Sequence, residues 1–329
     1  MIRFIIRRLI AVVFILLFVC AVTFVIFYTL PADPAVLTCG RACTPERIVE
    51  INHLLGLDKP LYQQFLDYVG GIFTGRTYGT GSVAVQCPFP CLGFSFQNNL
   101  PVWEVLLDRM PVTLSIAVGA AILWLIIGVG AGVISALKRG TIWDRGAMVM
   151  ALSGVSLPIY FTALAMLYFF TVKLEILPFP TYVAFTDNPW EWATGMIMPW
   201  ITLAFLFSAL YARLTRTSML DTMAENYIRT ARAKGLPERT VVVKHGMRAA
   251  LTPVVTIFGI DLGQLIGGAV ITETVFGLPG IGQLTWQAIG RVDQPVILGV
   301  TLFAAFFIVF ANLVVDILYA VLDPRVRTS

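Results

Sequence analysis

The sequence contains several long apolar runs without a charged residue, and these runs restrict the folds open to the chain. The first extends from Leu9 to Leu30; the whole chain is 58% hydrophobic and 13% charged, with a mean hydropathy of +0.83. A soluble protein of 329 residues cannot bury so much apolar surface. Within a bilayer, helices satisfy their own backbone hydrogen bonds. The sequence therefore predicts an all-α integral membrane protein.

Six segments are long and apolar enough to be predicted as transmembrane helices. They are Leu9 to Leu30, Val112 to Leu137, Gly146 to Thr171, Met196 to Tyr211, Thr252 to Thr272 and Val296 to Leu318. Two of them carry glycines spaced by four residues, which predict faces where other helices approach closely; these are Gly128 and Gly132, then Gly259, Gly263 and Gly267. In the third segment, Pro158 predicts a kink.

The distribution of positive charge predicts that both ends of the chain are cytoplasmic. Arg3, Arg7 and Arg8 precede the first run, and the predicted topology places 16 Lys and Arg residues inside and 7 outside. The first run is too long for the core of a signal peptide and no A-x-A site follows it, so we expect it to be retained. This topology divides the chain into an N-terminal tail with helix 1 (1–31), an extracytoplasmic segment (32–100) and a five-helix core (101–329).

The extracytoplasmic segment is predicted to contain two short helices. Thr44 and Pro45 start one that continues from Arg47 to Leu55. The second begins at Pro60, and its apolar residues fall on one stripe: Leu61, Phe65, Tyr68, Val69 and Ile72. A segment of this size has too little core of its own, so we expect it to pack on the membrane helices or on a partner.

Four of the five cysteines lie in this segment, in two clusters: Cys39 with Cys43, and Cys87 with Cys91. We favour two disulfides over a zinc site, because zinc ligands more often have C-x2-C spacing and this side of the membrane is oxidising. Three pairings are possible. We expect the one that links the clusters, since closing the longer loop would stabilise the fold by about 3–4 kcal/mol. Cys20, in the first run, is expected to be a small apolar residue.

A basic polar stretch, 217–250, separates two of the apolar segments. It contains Arg229, Arg232, Lys234, Arg239, Lys244 and Arg248 against three acidic residues, and such a stretch is expected to face the cytoplasm. The part from Met219 to Lys234 has no glycine or proline and predicts one helix. Gly235 is expected to end it, and Pro237 to begin a second helix. The stretch would then form a compact cytosolic knob.

No motif for catalysis or nucleotide binding is found in the sequence. It lacks G-x4-G-K-[ST], H-E-x-x-H and G-x-S-x-G, and its two histidines, His53 and His245, are predicted on opposite sides of the membrane. We therefore expect no enzyme activity, cofactor or metal in this chain. If it moves a solute uphill, the energy must come from another polypeptide.

The segment Tyr227 to Gly235, YIRTARAKG, resembles the cytoplasmic loop of ABC importer permeases in its peptide-importer form. The resemblance covers nearly the whole chain, through Leu55 to Pro60, Thr274 to Gly282 and Leu322 to Arg327. Together these motifs are similar to the first of the two permeases of the dipeptide, oligopeptide and nickel import group. Arg229 stands where the wider importer family has glutamate, which fits the peptide subgroup.

This resemblance implies a type I importer permease with six transmembrane helices. It would pair with a second, similar permease and contact two ATPase subunits, or one two-domain ATPase, which bind ATP and magnesium. The implied coupling residues dock on the ATPase; they are Tyr227, Arg229, Thr230, Ala231, Arg232, Ala233, Lys234 and Gly235. An extracytoplasmic binding protein would deliver the solute at a bacterial or archaeal cell membrane, with no nucleic-acid partner. Peptides, nickel chelates and oligosaccharides remain open as substrates.

Two aspartates lie within predicted transmembrane helices, where an ionisable group is a candidate functional residue. Asp261 would either face the translocation pathway and meet a peptide amino terminus, or pair with a neighbouring helix. Asp316 is nearer the cytoplasmic end of its helix, and we expect it to be structural.

Two other classes of function are compatible with the hydropathy pattern. A secondary transporter or channel would need no ATPase and usually shows internal repeats, of which the sequence shows no clear sign. In a membrane scaffold or enzyme, the basic stretch would bind anionic lipid. Only an importer permease requires ATPase subunits and a second permease as partners.

Overall fold

The computed structural model describes residues 2–29, 44–46, 48–49, 52, 58–78 and 84–322. Among these, Pro45, Glu46, Ile48 and Val49 are helical, as predicted. Most of the predicted helix from Arg47 to Leu55, together with Cys39, Cys43 and the motif beyond Leu322, lies outside the described residues.

The described part of the chain is mainly helical. Its first elements are helix α1 (Ile2–Thr29), helix α2 (Leu61–Thr74) and two antiparallel strand pairs, β1 (Arg76–Tyr78) with β2 (Val85–Cys87) and β3 (Phe94–Ser95) with β4 (Leu100–Pro101). Then come α3 (Val102–Trp124), a π-helical turn (Leu125–Val129), α4 (Gly130–Leu137), α5 (Ile142–Ser156), α6 (Ile159–Met166) with a π-helical end (Leu167–Lys173), and α7 (Pro189–Ala224).

Shorter helices follow before the last long one. They are α8 (Asn226–Ala233), α9 (Glu238–Thr240) with a π-helical turn (Val241–Gly246), α10 (Met247–Ala250), α11 (Thr252–Ile266), α12 (Val270–Phe276), α13 (Ile281–Arg291) and α14 (Gln294–Leu322).

Four of the described helices are long and apolar enough to cross a bilayer. They are α1 over Ile6–Ile26, the continuous α3–α4 helix over Val102–Leu137, α7 over its whole length, and α14 over Gln294–Ile317. Two bent pairs reach the same length: α5 with α6, and the segment Glu238–Ala250 with α11, so that up to six spans are available if each bent pair is one span.

The third predicted span is broken, where the sequence analysis predicted only a kink. Helices α5 and α6 meet at an angle of 101°. Leu157 has ψ 126° and Pro158 ψ 140°, so both residues are extended. A proline disfavours helical geometry at the residue before it, and here two extended residues in succession redirect the chain.

The prediction of one helix from Met219 to Lys234 is wrong. Helix α7 continues well beyond Tyr211 to Ala224, and Glu225, with ψ 150°, separates it from α8. This reversal allows the apolar side of α8 to pack back on the chain: buried Ile228 and Ala231 form a cluster with Val241 and Met223. Tertiary packing therefore ends α7 at a position with no glycine or proline.

The glycine-lined faces predicted for the second and fifth segments are confirmed. On α11, a Cβ atom at Gly263 would lie 2.9 Å from the Cβ of Ala311, and one at Gly267, just after α11, would lie 2.7 Å from the Cβ of Ala304; both alanines are on α14. Gly259 likewise faces Val315. The fifth segment itself is shorter than predicted, since α11 ends at Ile266.

Four of the five residues of the stripe predicted on α2 pack against the membrane helices, whereas Leu61 is exposed. Tyr68 is buried and Phe65, Val69 and Ile72 are partly buried in a cluster that includes Phe24 of α1 and residues of α3, α13 and α14. The described part of the 32–100 segment thus packs on the helical bundle through α2, as its small size requires.

A buried polar cluster joins α3 to the junction between α12 and α13. Thr113 Oγ1 donates to Glu273 Oε1 at 2.8 Å and accepts from the amide of Ile281 at 2.9 Å. The same carboxylate accepts from the amides of Ala269 at 3.2 Å and Gln283 at 2.9 Å. Glu273 therefore satisfies the Gln283 amide at the start of α13 and the Ala269 amide just before its own helix α12, positions where a helix leaves amides without intrahelical partners.

We predict that Thr113→Val destabilises the protein by about 1–3 kcal/mol, because it leaves the buried Ile281 amide without a partner and removes one of the two hydrogen bonds that Glu273 Oε1 accepts. Thr202→Val is the matched control. Thr202 is equally buried, and its hydroxyl has no hydrogen-bond partner in the described part of the chain. Thermal unfolding of the purified variants in detergent should show a lower Tm for Thr113→Val alone. Equal Tm values for both variants would contradict the role of this cluster.

Candidate functional site: the surface around helix α8

The basic stretch presents a short amphipathic helix at one end of the bundle. On α8, Ile228 and Ala231 are buried, and the remaining predicted coupling residues are exposed: Tyr227, Arg229, Thr230, Arg232, Ala233, Lys234 and Gly235. Ala231 is the exception among the predicted contacts, because it packs inward against Ile228 and Val241. The other seven form a continuous outer surface on and just beyond α8.

Gly235 ends α8 in the left-handed conformation that the sequence predicted. Its φ is 77°, which favours glycine, and its amide donates to the carbonyl of Arg232 at 2.9 Å. The chain then turns through Leu236, whose amide donates to Ala231 O at 3.4 Å, and Pro237 precedes α9. The corner is therefore closed by its own backbone hydrogen bonds.

Arg232 is paired within the chain. Its Nη2 donates to Glu238 Oε1 at 2.7 Å and its Nε to Oε2 at 3.1 Å, across the Gly235 corner. This hydrogen-bonded carboxylate raises the pKa of Arg232 above its usual value. Both side chains are largely exposed, at 43% and 60%, so the pair contributes little to overall stability. Its geometric effect is to link α8 to α9.

Other cations of the stretch remain available to a partner. Arg229, Lys234, Arg239, Lys244 and Arg248 are exposed, and none forms an ion pair within the described part of the chain. A positively charged surface favours an acidic partner, because it attracts that partner at long range and can donate charge-assisted hydrogen bonds to it.

Asp261 is hydrogen-bonded to a residue that the sequence analysis did not single out. Tyr211 Oη on α7 donates to Asp261 Oδ2 on α11 at 2.8 Å. Tyr211 is fully buried next to Trp124, whereas Asp261 is half-buried. Of the two predicted environments for Asp261, the structure contains the contact with a neighbouring helix. The partner is a neutral hydroxyl, so the carboxylate has no countercharge there.

Asp316 also pairs with a neighbouring helix. Arg8 Nη2 on α1 donates to Asp316 Oδ1 on α14 at 3.1 Å. The contact joins the first and last long helices, which pack along each other. It agrees with the structural role predicted for this aspartate.

The expected pairing of the two cysteine clusters is wrong for the cluster that the structure describes. Cys87 and Cys91 are bonded to each other, with their Cα atoms 5.5 Å apart. Strand β2 ends at Cys87, and the short turn that follows returns Cys91 to its side, so the two thiols meet without a distant partner. Cys20 is a buried free thiol, as predicted.

Within the described residues, no group of three or more His, Cys, Asp or Glu side chains has a geometry that could hold a metal ion. The residues of the sequence motif lie on and just beyond α8, but the motif did not indicate that Glu238 pairs with Arg232, because a helix-ending glycine lies between them.

Comparison with known families matches both halves of the chain. Residues 1–117 match the N-terminal region of the membrane components of binding-protein-dependent transport systems, and residues 128–328 match the inner membrane component of those systems. This is a family of transport components and not of hydrolases.

Several curated proteins are similar over nearly their whole length. The dipeptide transport system permease protein DppB of Escherichia coli (strain K12) is 36% identical, with 99% of each chain covered. The di/tripeptide transport system permease protein DppB of Pseudomonas aeruginosa is 38% identical, also over 99% of each chain. A putative peptide transport system permease protein of Brucella abortus is 38% identical over 98% of each.

Among solved structures, a chain of the inward-facing MetNI methionine ABC transporter has a similar fold. The TM-score is 0.51 at 18% sequence identity, over 67% of this chain and 97% of the MetNI chain. The family matches cover the same elements that carry α8 and its basic surface. This chain belongs to the family of inner membrane components of binding-protein-dependent transport systems.

Proposed function

We propose that the chain is one permease subunit of an ATP-driven peptide importer and forms half of the translocation pathway. The observation that carries this proposal is the exposed, cationic α8 surface, closed at Gly235 and connected to the long helix α7 through the single residue Glu225. Three relatives named as peptide or dipeptide permeases support peptides as the substrate class.

The proposed subunit spans the membrane six times, with both termini in the cytoplasm of a bacterial or archaeal cell. Four long apolar helices and two bent pairs support this number. The extracytoplasmic position of the 32–100 segment is supported by its Cys87–Cys91 disulfide, since disulfides persist in oxidising compartments.

The proposed complex contains a second homologous permease, two ATPase subunits or one two-domain ATPase, and an extracytoplasmic binding protein. ATP and magnesium would bind to the ATPase, and this chain would need no cofactor. In this arrangement α8 docks in a groove of the ATPase through Tyr227, Arg229 and Lys234. ATP binding then moves α8 as a unit, which is the kind of rigid-body displacement that switches transporters between two states.

Affinity purification of the tagged chain from native membranes tests this composition. We expect ATPase subunits and a second permease to be recovered with the chain, and ATP-dependent peptide uptake when the complex is placed in liposomes with the binding protein. A chain that purifies alone and transports without ATP would instead be a secondary transporter or channel.

A charge exchange at the α8 corner separates an internal role of Arg232 from direct docking. We predict that Arg232→Glu, which repels Glu238, lowers ATP-dependent uptake, and that adding Glu238→Arg restores most of it because the pair is rebuilt in reverse. Glu238→Arg alone is the matched control: it places two positive side chains at this contact, so it should also lower uptake. If the exchanged pair transports no better than Arg232→Glu, Arg232 would instead contact the ATPase directly.

The charge of Asp261 is proposed to favour peptides with a free amino terminus. Asp261→Asn keeps an oxygen that accepts from Tyr211 but removes the negative charge, so uptake of unmodified dipeptides should fall severalfold relative to N-acetylated ones. Tyr211→Phe, which removes the hydrogen bond and keeps the charge, should retain the preference. Equal preferences in wild type and Asp261→Asn would place Asp261 outside the pathway.

A further inference from the structure

Another ion pair, between Arg216 and Asp144, connects three helices near the end of α7 that leads into α8. Arg216 on α7 meets Asp144 in the first turn of α5 with two parallel hydrogen bonds: Nε to Oδ1 at 2.7 Å and Nη2 to Oδ2 at 3.0 Å. Asp144 also accepts from the Ser135 hydroxyl on α4 and from the Gly140 amide, at 2.9 Å, in the connecting turn.

The environment of this pair differs from that of the exposed pair at the α8 corner. The Asp144 side chain is 8% exposed and that of Arg216 23%. Every oxygen of the carboxylate is used, and a planar guanidinium held at two points fixes orientation as well as distance. A partly buried, bidentate contact of this kind joins the two helices more rigidly than a surface ion pair does.

The position of Arg216 connects the pair to the proposed coupling element. It lies two turns before α7 ends at Ala224, and only Glu225 separates that end from α8. Met223, in the last turn of α7, packs in the cluster that anchors α8. A displacement of α8 would therefore reach the end of α7, two turns from Arg216, through Glu225 and Met223.

On the other side of the pair, the packing of α5 suits a helix that moves as a rigid body when α7 moves. A Cβ atom at Gly154 would lie 2.7 Å from the carbonyl oxygen of Phe205, so α5 and α7 are in near-backbone contact further along. Helix α5 then ends at the 101° break before α6, which packs on both α7 and α12. The extended residues Leu157 and Pro158 provide a hinge at which α5 can change its orientation relative to α6.

We propose that Arg216 and Asp144 are positioning residues that transmit the movement of α8 to α5. The inference rests on the proposed function, because it assigns to this pair the step between the ATPase contact and the rearrangement of the spans. Neither residue is exposed on the α8 surface, and their separation of 72 positions explains why no local motif indicates the contact.

The test uses the complete complex in liposomes, with uptake and ATP hydrolysis measured on the same preparation. Uptake by the wild-type complex, measured first, tests the proposed function; the ratio of peptide transported to ATP hydrolysed in variants tests the inference. In Arg216→Met and in Asp144→Asn this ratio should fall about tenfold, the size of a typical coupling between sites. The double variant should lose no more than either single, because the two residues act as a unit.

Arg213→Met is the matched control. Arg213 lies on the same helix, is exposed, and forms no ion pair within the described part of the chain, so its ratio should remain that of wild type. A purely structural role would lower the yield or the Tm of the single variants but leave the ratio of the assembled complexes unchanged, and that result would overturn the inference. So would independent losses that multiply in the double variant.

If Arg216→Met or Asp144→Asn does not assemble into the complex, Arg216→Lys is measured in its place. Lysine keeps the charge but cannot form the fork to both oxygens, so this variant should assemble and show a transport ratio between wild type and the values above. A wild-type ratio in Arg216→Lys, together with normal assembly, would show that the bidentate contact is not needed for transmission.

Discussion

Close backbone packing around α7 is the constraint on which the rest of the structure depends. This helix contacts α3, α4, α5, α6, α11 and α12. At Gly132 on α4, a Cβ atom would lie 2.6 Å from the carbonyl oxygen of Ala212, and at Gly128 it would lie 2.9 Å from that of Ser208. Apolar side chains gain little by leaving lipid for each other, so small residues that permit this approach are a main source of helix association in a membrane.

This packing gives α7 two roles at once. Its centre is part of a large buried cluster, with Trp124 and Tyr211 in contact, and its last turns pack through Met219 and Met223 on α4 and α10 before the chain continues into α8. A helix that is packed along its length and continues into a short helix can pass a displacement between that short helix and the bundle. The buried residues Ile228 and Ala231 hold α8 against the end of α7, while the cations of α8 face outward.

Several of these features could be predicted from the sequence because they depend on local chemistry. A glycine such as Gly235 can end a helix whatever residues surround it, and glycines spaced by four residues lie on the same face of a helix. Both predictions depend on this local chemistry, and both are confirmed. A helix starting at Pro60 was predicted from the proline and one apolar stripe, and helix α2 forms there over Leu61–Thr74. The family resemblance of Tyr227 to Gly235 likewise located the candidate site.

Features set by distant contacts could not be predicted in the same way. The break at Glu225 has no local signal, since it is imposed by packing of Ile228 against Val241. Asp261 and Asp144 are bonded to residues 50 and 72 positions away. For the cysteines, loop entropy favoured the distant pairing, whereas the turn after β2 brings Cys87 and Cys91 together. In each case the deciding partner depends on tertiary structure.

Site-specific photo-cross-linking from α8 tests the central claim most directly. A photoreactive residue in place of Arg229, which is exposed on α8, should form a covalent adduct with the ATPase in the assembled complex. One in place of Lys173, an exposed cation that follows the third predicted transmembrane segment and so lies on the opposite side of the membrane in the predicted topology, should not. Adducts with the ATPase at position 229 alone are the predicted result. No such adduct at position 229 in a complex that hydrolyses ATP and transports peptide would contradict the assignment of α8 as the coupling element.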